Sequence, residues 1–262
     1  MKILFFGDVY GKTGRKALGK VLPKLRKKYS PDFIIANAEN LANGRGPNEK
    51  QLRELMEMGV DGFTSGNHIF DNAGGEEMLK TTKLPIVKPC NYPASVGGKS
   101  SLILTKGKQK LLITNALGRI FMGDPLNSPF TAIEKILKLA KKEKVKNVLV
   151  DFHAEATSEK NAFGYFLDGK VSVVVNTHTH IQTADERILP AGSAYISDVG
   201  FCGSLNSVIG AKTENAMQRF LTNLPTRLEV AENPPFVVSG VFVETKPSGL
   251  AQKIERIYEV IS

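Results

Sequence analysis

The stretch VSVVVNTHTH, residues 171–180, decides how the chain is read: a run of valines leads straight into two imidazoles one residue apart. Unbroken β-branched residues mark a strand buried on both faces. In an extended segment residues two apart point the same way, so His178 and His180 would address one site or two adjacent metals. The pattern recurs outward from this point. KILFFGD (2–8) ends in Asp8, and DFIIANAEN (32–40) ends in Glu39 and Asn40. VDGFTSGNH (60–68) ends in Asn67 and His68, and NVLVDFH (147–153) ends in His153. All four histidines of the chain therefore lie at the carboxyl tips of apolar runs.

Helical spacing fills the intervals. It is found in TGRKALGKVLPKLRKKYS (13–30), where Pro23 predicts a kink or break, and in PNEKQLRELMEMG (47–59), with Pro47 near its start and Gly59 at its end. PFTAIEKILKLAKKEK (129–144) is a third helix, and SEKNAFGYFLDG (158–169) starts another with Ser158 as its cap. SLILT (101–105), KLLITNA (110–116) and SAYISDVG (193–200) read as further strands, and residues 237–262 as a terminal hairpin turning at KPSG (246–249). Strands alternating with helices predict an α/β protein, one domain over residues 1–262, with helices covering a largely central sheet. Parallel neighbours would gather all five tips at one edge, where open α/β sheets bind ligands.

Composition narrows the function. At 42% hydrophobic and 23% charged residues the chain has the balance of a soluble globular protein. No apolar run approaches the roughly 20 residues that span a bilayer, so no membrane partner is expected. Ile3–Phe6 is too short for a secretory core, which predicts a cytoplasmic protein. Cys90 and Cys202 fit no metal or redox spacing and read as two reduced core thiols. The net charge of +9 comes mostly from lysine clusters such as KLRKKYS (24–30) and KKEKVKN (141–147). These suit a solvated surface, an anionic small substrate or, secondarily, RNA. GDVYGKTG (7–14) imitates a phosphate-binding loop, but Gly7 is one residue too close to Gly11, and Asp8 would set a carboxylate against phosphate.

A mixed set of Asp, Glu, Asn and His favours a pair of transition metals (Zn, Mn, Fe or Ni) over Mg or Ca. Each residue has a plainer use. Asp8 would cap a helix, Glu39 and Asn40 would turn a loop, and Asn67 would follow Gly66 in a turn. None of these uses explains why every histidine sits among them.

Together, GDVYGKTGR (7–15), NAEN (37–40), GNHIFD (66–71), DFHAEATSEK (151–160) and THTHIQTADERILP (177–190) resemble the calcineurin-like metallophosphoesterases, and within them the YmdB family of bacterial phosphodiesterases. The match runs from Lys2 to about Gly210. The resemblance implies a four-layer α/β/β/α sandwich and two metals per chain, typically iron or manganese. It implies that Asp8, Asn40 and His180 hold one metal, that Asn67, His153 and His178 hold the other, and that Glu39 bridges them. It further implies a hydroxide between the metals that attacks a cyclic nucleotide (2′,3′- or 3′,5′-cyclic) or a related phosphodiester. His68 would be the proton donor, and the chain would form a homo-oligomer. Two carboxylates against two divalent ions leave net positive charge for a phosphate ester. Two features depart from the family. Asn176 stands where glycine is usual, a place where its tolerance of positive φ would serve, and FCGSLNSVIG (201–210) replaces a Met-Thr-Gly segment.

Around this set, Asp71 would orient His68 or cap a helix, and Asp151 and Glu155 would support the ligands beside His153. Arg15 and Arg45 would hold phosphate or be solvated. Two other readings remain open: a two-metal hydrolase acting on a carbonyl substrate, and a basic RNA-binding regulator with a slow site.

Overall fold

The computed structural model describes residues 1–123 and 125–262. In chain order the elements are β1 (Lys2–Phe6), β2 (Asp8–Val9), α1 (Gly11–Tyr29), β3 (Phe33–Asn37), α2 (Glu49–Glu57), β4 (Gly62–Thr64) and α3 (Gly75–Thr81). There follow β5 (Ser101–Lys106), β6 (Gln109–Leu117), α4 (Pro129–Lys142), β7 (Asn147–His153), α5 (Thr157–Leu167) and β8 (Val173–Thr177). The chain closes with β9 (Arg187–Ile188), β10 (Ala194–Ile196), β11 (Phe201–Ser204), α6 (Thr213–Thr222), β12 (Phe236–Thr245) and β13 (Ala251–Ile261).

The strands form two sheets, not the one central sheet that periodicity predicts. In the first, β1, β3 and β4 run parallel, and β12 pairs antiparallel with β1 through residues 240–244 and with β11 through residues 236–238. The other edge of β12 carries β13, which makes the predicted terminal hairpin. In the second, β6, β7, β8 and β10 run parallel, and β5 and β9 close the edges antiparallel.

Side-chain alternation explains the layering. Ile3 and Phe5 of β1 point into a core shared with Ile113, Leu149, Val173 and Val175 of the second sheet. Leu4 and Phe6 point the other way, onto Leu18, Leu22 and Leu25 of α1. Val174 faces Phe163 and Leu167 of α5. The result is four layers, α/β/β/α, as the resemblance implies. A strand covered by a helix on one face and a sheet on the other is apolar throughout, which is why KILFF and VVV show no alternation.

Two helix details differ from expectation. Pro23 does not break α1: it lies on the exposed face, while buried Leu18, Val21, Leu22 and Leu25 hold the helix on both sides of it. Ser158 is not a cap, because α5 begins at Thr157 with Ala156 in the capping position and no side-chain bond there. Among the described residues no helix is long and apolar enough to cross a membrane.

Candidate metal centre

The carboxyl ends of β1, β3 and β4 in one sheet and of β7 and β8 in the other open on the same place. Ligand atoms of Glu39, His153 and His178 lie within 4.8 Å of one another, and so do those of Asp8, Glu39 and His180. Glu39 belongs to both groups. The two sheets thus each supply part of the site, in place of the single edge that the sequence suggests.

The protons can be assigned from the bonds. Thr177 Oγ1 donates to Asp151 Oδ1 at 2.7 Å, so at 2.8 Å it accepts from His153 Nδ1. His153 Nε2 is therefore the nitrogen turned to the site. It meets Asn67 Oδ1 at 2.9 Å, His178 Nδ1 at 3.0 Å and Glu39 Oε2 at 3.1 Å. Atoms with lone pairs crowd there around one position, which calls for a proton or a cation. Burial opposes charge on His153, but Glu39, Asp8 and Asp151 outweigh it and push its pKa up to about 9. His178 goes the other way, down to about 3, through burial and the neighbouring His153.

The second group has the same character. His180 Nδ1 donates to the carbonyl of Ile209 at 2.8 Å, leaving Nε2 as its lone pair. Asp8 Oδ1 and Asn40 Oδ1 are buried without any hydrogen-bond partner, while Asn40 Nδ2 is engaged by the carbonyl of Gly44 at 2.9 Å. Burial holds the Asp8 carboxyl well above its usual range. Buried oxygens left bare are costly, and a cation bound between them removes the cost. Carboxylate, carboxamide and imidazole together form a donor set that fits transition metals.

His178 and His180 do not share a direction through strand geometry. β8 ends at Thr177, and both histidines have left-handed backbone, with φ of 101° and 64°. The turn is pinned from behind. Asp198 Oδ2 accepts from Thr179 N at 3.1 Å, Thr179 Oγ1 at 2.7 Å and Lys160 Nζ at 3.0 Å, and both members of the ion pair are buried. Asn176 needs no positive φ: it sits inside β8 and donates through Nδ2 to the Ile196 carbonyl at 2.6 Å. Gly66 is required by contact, since a Cβ there would stand 2.0 Å from Glu39 Oε2 and 2.6 Å from His153 Nε2.

His68 lies at the mouth, in a cavity of about 550 Å³ lined also by Tyr10, Glu39, Asn40, His178 and His180. Its Nδ1 meets Asp71 Oδ2 at 2.8 Å, which leaves Nε2 for a ligand. Asp71 caps no helix, because α3 starts after Gly74. Arg45 lies 3.6 Å from the same Asp71 oxygen and lines the cavity. Glu155 reaches His178 Nε2 at 3.2 Å.

Asp151 is fully buried and pushed up to about 6 by that burial, and it accepts from Asn37, Thr64 and Thr177. Arg15 is neither in the site nor solvated: it is buried, bonding Glu54 at 2.8 Å and the Leu41 carbonyl at 2.6 Å. Cys90 and Cys202 are unpaired thiols, both pushed up to about 12 by burial. Sequence reasoning missed Lys160 and Asp198. One signal was available: Lys160 shares the spacing of Phe163, Gly164 and Leu167, the buried face of α5.

A family model described as YmdB-like protein matches residues 4–257. A 2′,3′-cyclic-nucleotide 2′-phosphodiesterase of Bacillus subtilis is 42% identical over 258 residues, which cover 98% of this chain and 96% of that protein. A hypothetical protein of Thermus thermophilus superposes with a TM-score of 0.92 at 39% identity over the whole of both chains. A phosphatase of Mycoplasma pneumoniae superposes at 0.91 with 38% identity, over 99% of this chain and 93% of the other.

Proposed function

The chain belongs to the YmdB-like family, and from that premise we propose that it is a metal-dependent phosphodiesterase acting on cyclic nucleotides, 2′,3′-cyclic ones first. The name of the Bacillus relative supports the substrate. The observation that carries the reading is Glu39, shared by two ligand groups, together with a buried oxygen of Asp8, in one of those groups, and another of Asn40 that lack hydrogen-bond partners. Asp8, Asn40 and His180 would hold one cation, and Asn67, His153 and His178 the other, with Glu39 between them. Bound iron or manganese would supply Lewis acidity toward the phosphate and toward water.

The chain's own groups do the rest. His68 gives the proton from Nε2 to the leaving oxygen as the phosphorus–oxygen bond breaks. Asp71 holds that imidazole by its other nitrogen, at 2.8 Å. Glu155 and the Lys160–Asp198 pair keep His178 and His180 aimed into the cleft. The apolar core between the sheets joins both halves of this site, which supports reading residues 1–262 as one domain.

The test combines metal analysis with hydrolysis of bis(p-nitrophenyl) phosphate and of adenosine 2′,3′-cyclic phosphate, for the wild type and His178→Ala. About two Fe or Mn per chain, with hydrolysis of both esters lost in the variant, is the expected result. A wild type that binds no metal on reconstitution, or hydrolysis indifferent to His178→Ala, overturns the reading.

A further inference from the structure

The metal cleft does not end at its ligands. One wall is the last turn of α6 and the segment after it, where Arg219, Thr226 and Arg227 line both the cleft and a neighbouring hollow of about 460 Å³. Asn223, Leu224 and Pro225 complete the lining of that hollow, so its charged groups are two guanidiniums and no carboxylate. Among the described residues neither arginine makes an ion pair or a side-chain hydrogen bond. Glu229, the acid nearest to Arg227 along the chain, is paired with Lys212 at 2.7 Å and meets Arg227 only as a weaker, longer-range charge. Two guanidiniums that line one hollow beside a phosphate-ester site, neither held in a close ion pair, suit phosphate oxygens.

We propose that Arg219 and Arg227 form an anion subsite that takes a second phosphate of the substrate. The preferred substrate then carries a phosphate besides the scissile diester, as a 5′-phosphorylated or oligonucleotide cyclic ester does. Leu224, exposed in the same hollow, offers an apolar surface to the adjoining nucleoside. The inference rests on the phosphodiesterase reading for its chemistry, but binding tests it separately.

Hydrolysis of adenosine 2′,3′-cyclic phosphate is compared with that of its 5′-phosphorylated form, for the wild type, Arg219→Gln/Arg227→Gln and Arg219→Lys/Arg227→Lys. The wild type favours the second phosphate in kcat/KM by about tenfold, the worth of one charge-assisted contact. That ratio falls to near one in the Gln variant, recovers in part in the Lys variant, and shrinks with added salt. Equal loss on both substrates, or a ratio unchanged by the substitutions, overturns the proposal. In parallel, calorimetry in EDTA measures adenosine 3′,5′-bisphosphate against adenosine 3′-phosphate. Tighter binding of the bisphosphate, lost in the Gln variant, supports the subsite, and no difference between the two probes overturns it. If the metal-loaded wild type hydrolyses neither cyclic ester, the phosphodiesterase reading fails and calorimetry alone judges the subsite.

Discussion

At the scale of single residues, His68 and its neighbour Asn67 face different partners. Asn67 Oδ1 points at His153 Nε2, whereas the His68 ring pairs with Asp71 and fronts the cavity. His68→Ala should lower kcat by about 100-fold or more and leave the metal content unchanged. Asp71→Asn should cost less, since the imidazole loses its brace and keeps its place. Metal lost together with turnover in His68→Ala would make that histidine a ligand. The residues of this cluster are legible in the sequence because each ends an apolar run, and such ends point to ligands. Arg15 and the Lys160–Asp198 pair are not legible in that way. A charge buried by a partner 38 residues away looks, along the chain, like any solvated charge.

At the scale of elements, the turn between β8 and residue 180 places two non-glycine residues in left-handed backbone, a conformation that costs each of them about 1 kcal/mol or more. Asp198 holds the turn through both donors of Thr179, and Lys160 fixes Asp198. Lys160→Met should leave Asp198 buried and unpaired, lower stability by about 3 kcal/mol in urea titration, and weaken metal retention. The conservative Lys160→Arg should restore part of the metal affinity, and an unaltered affinity in Lys160→Met would make the pair purely structural. Strand positions are legible from their composition, and the handedness of this turn is not. It depends on contacts from Asp198, in the loop after β10, and from Lys160 of α5 that no local pattern in THTH announces.

At the scale of the whole molecule, the two sheets are joined below the site by Asp151 of β7, which takes hydrogen bonds from Asn37 of β3 at 2.9 Å and from Thr64 of β4 at 2.5 Å. Asp151→Asn turns one of these acceptors into a donor. It should lower stability by about 2 kcal/mol, read from the urea midpoint, and an unchanged midpoint would show that the clamp carries no net stability. The number of sheets is the part of the fold that periodicity hides. A strand buried on both faces has the same composition whether its second cover is a helix or another sheet.

The pairing of β1 with β12 also sets an order of events during synthesis. Met1 and Thr245 exchange backbone hydrogen bonds across nearly the full length of the chain, and β2, which begins with Asp8, pairs with β11. While a ribosome is still making the middle of the protein, KILFF can pair on its β3 side alone and leaves its other edge open. A chain interrupted before residue 236 therefore exposes an apolar strand edge, and aggregation or proteolysis would be its fate. Asp8 pairs with Phe201 of β11, so a nascent chain cannot fix this candidate ligand beside the others until β11 has been made.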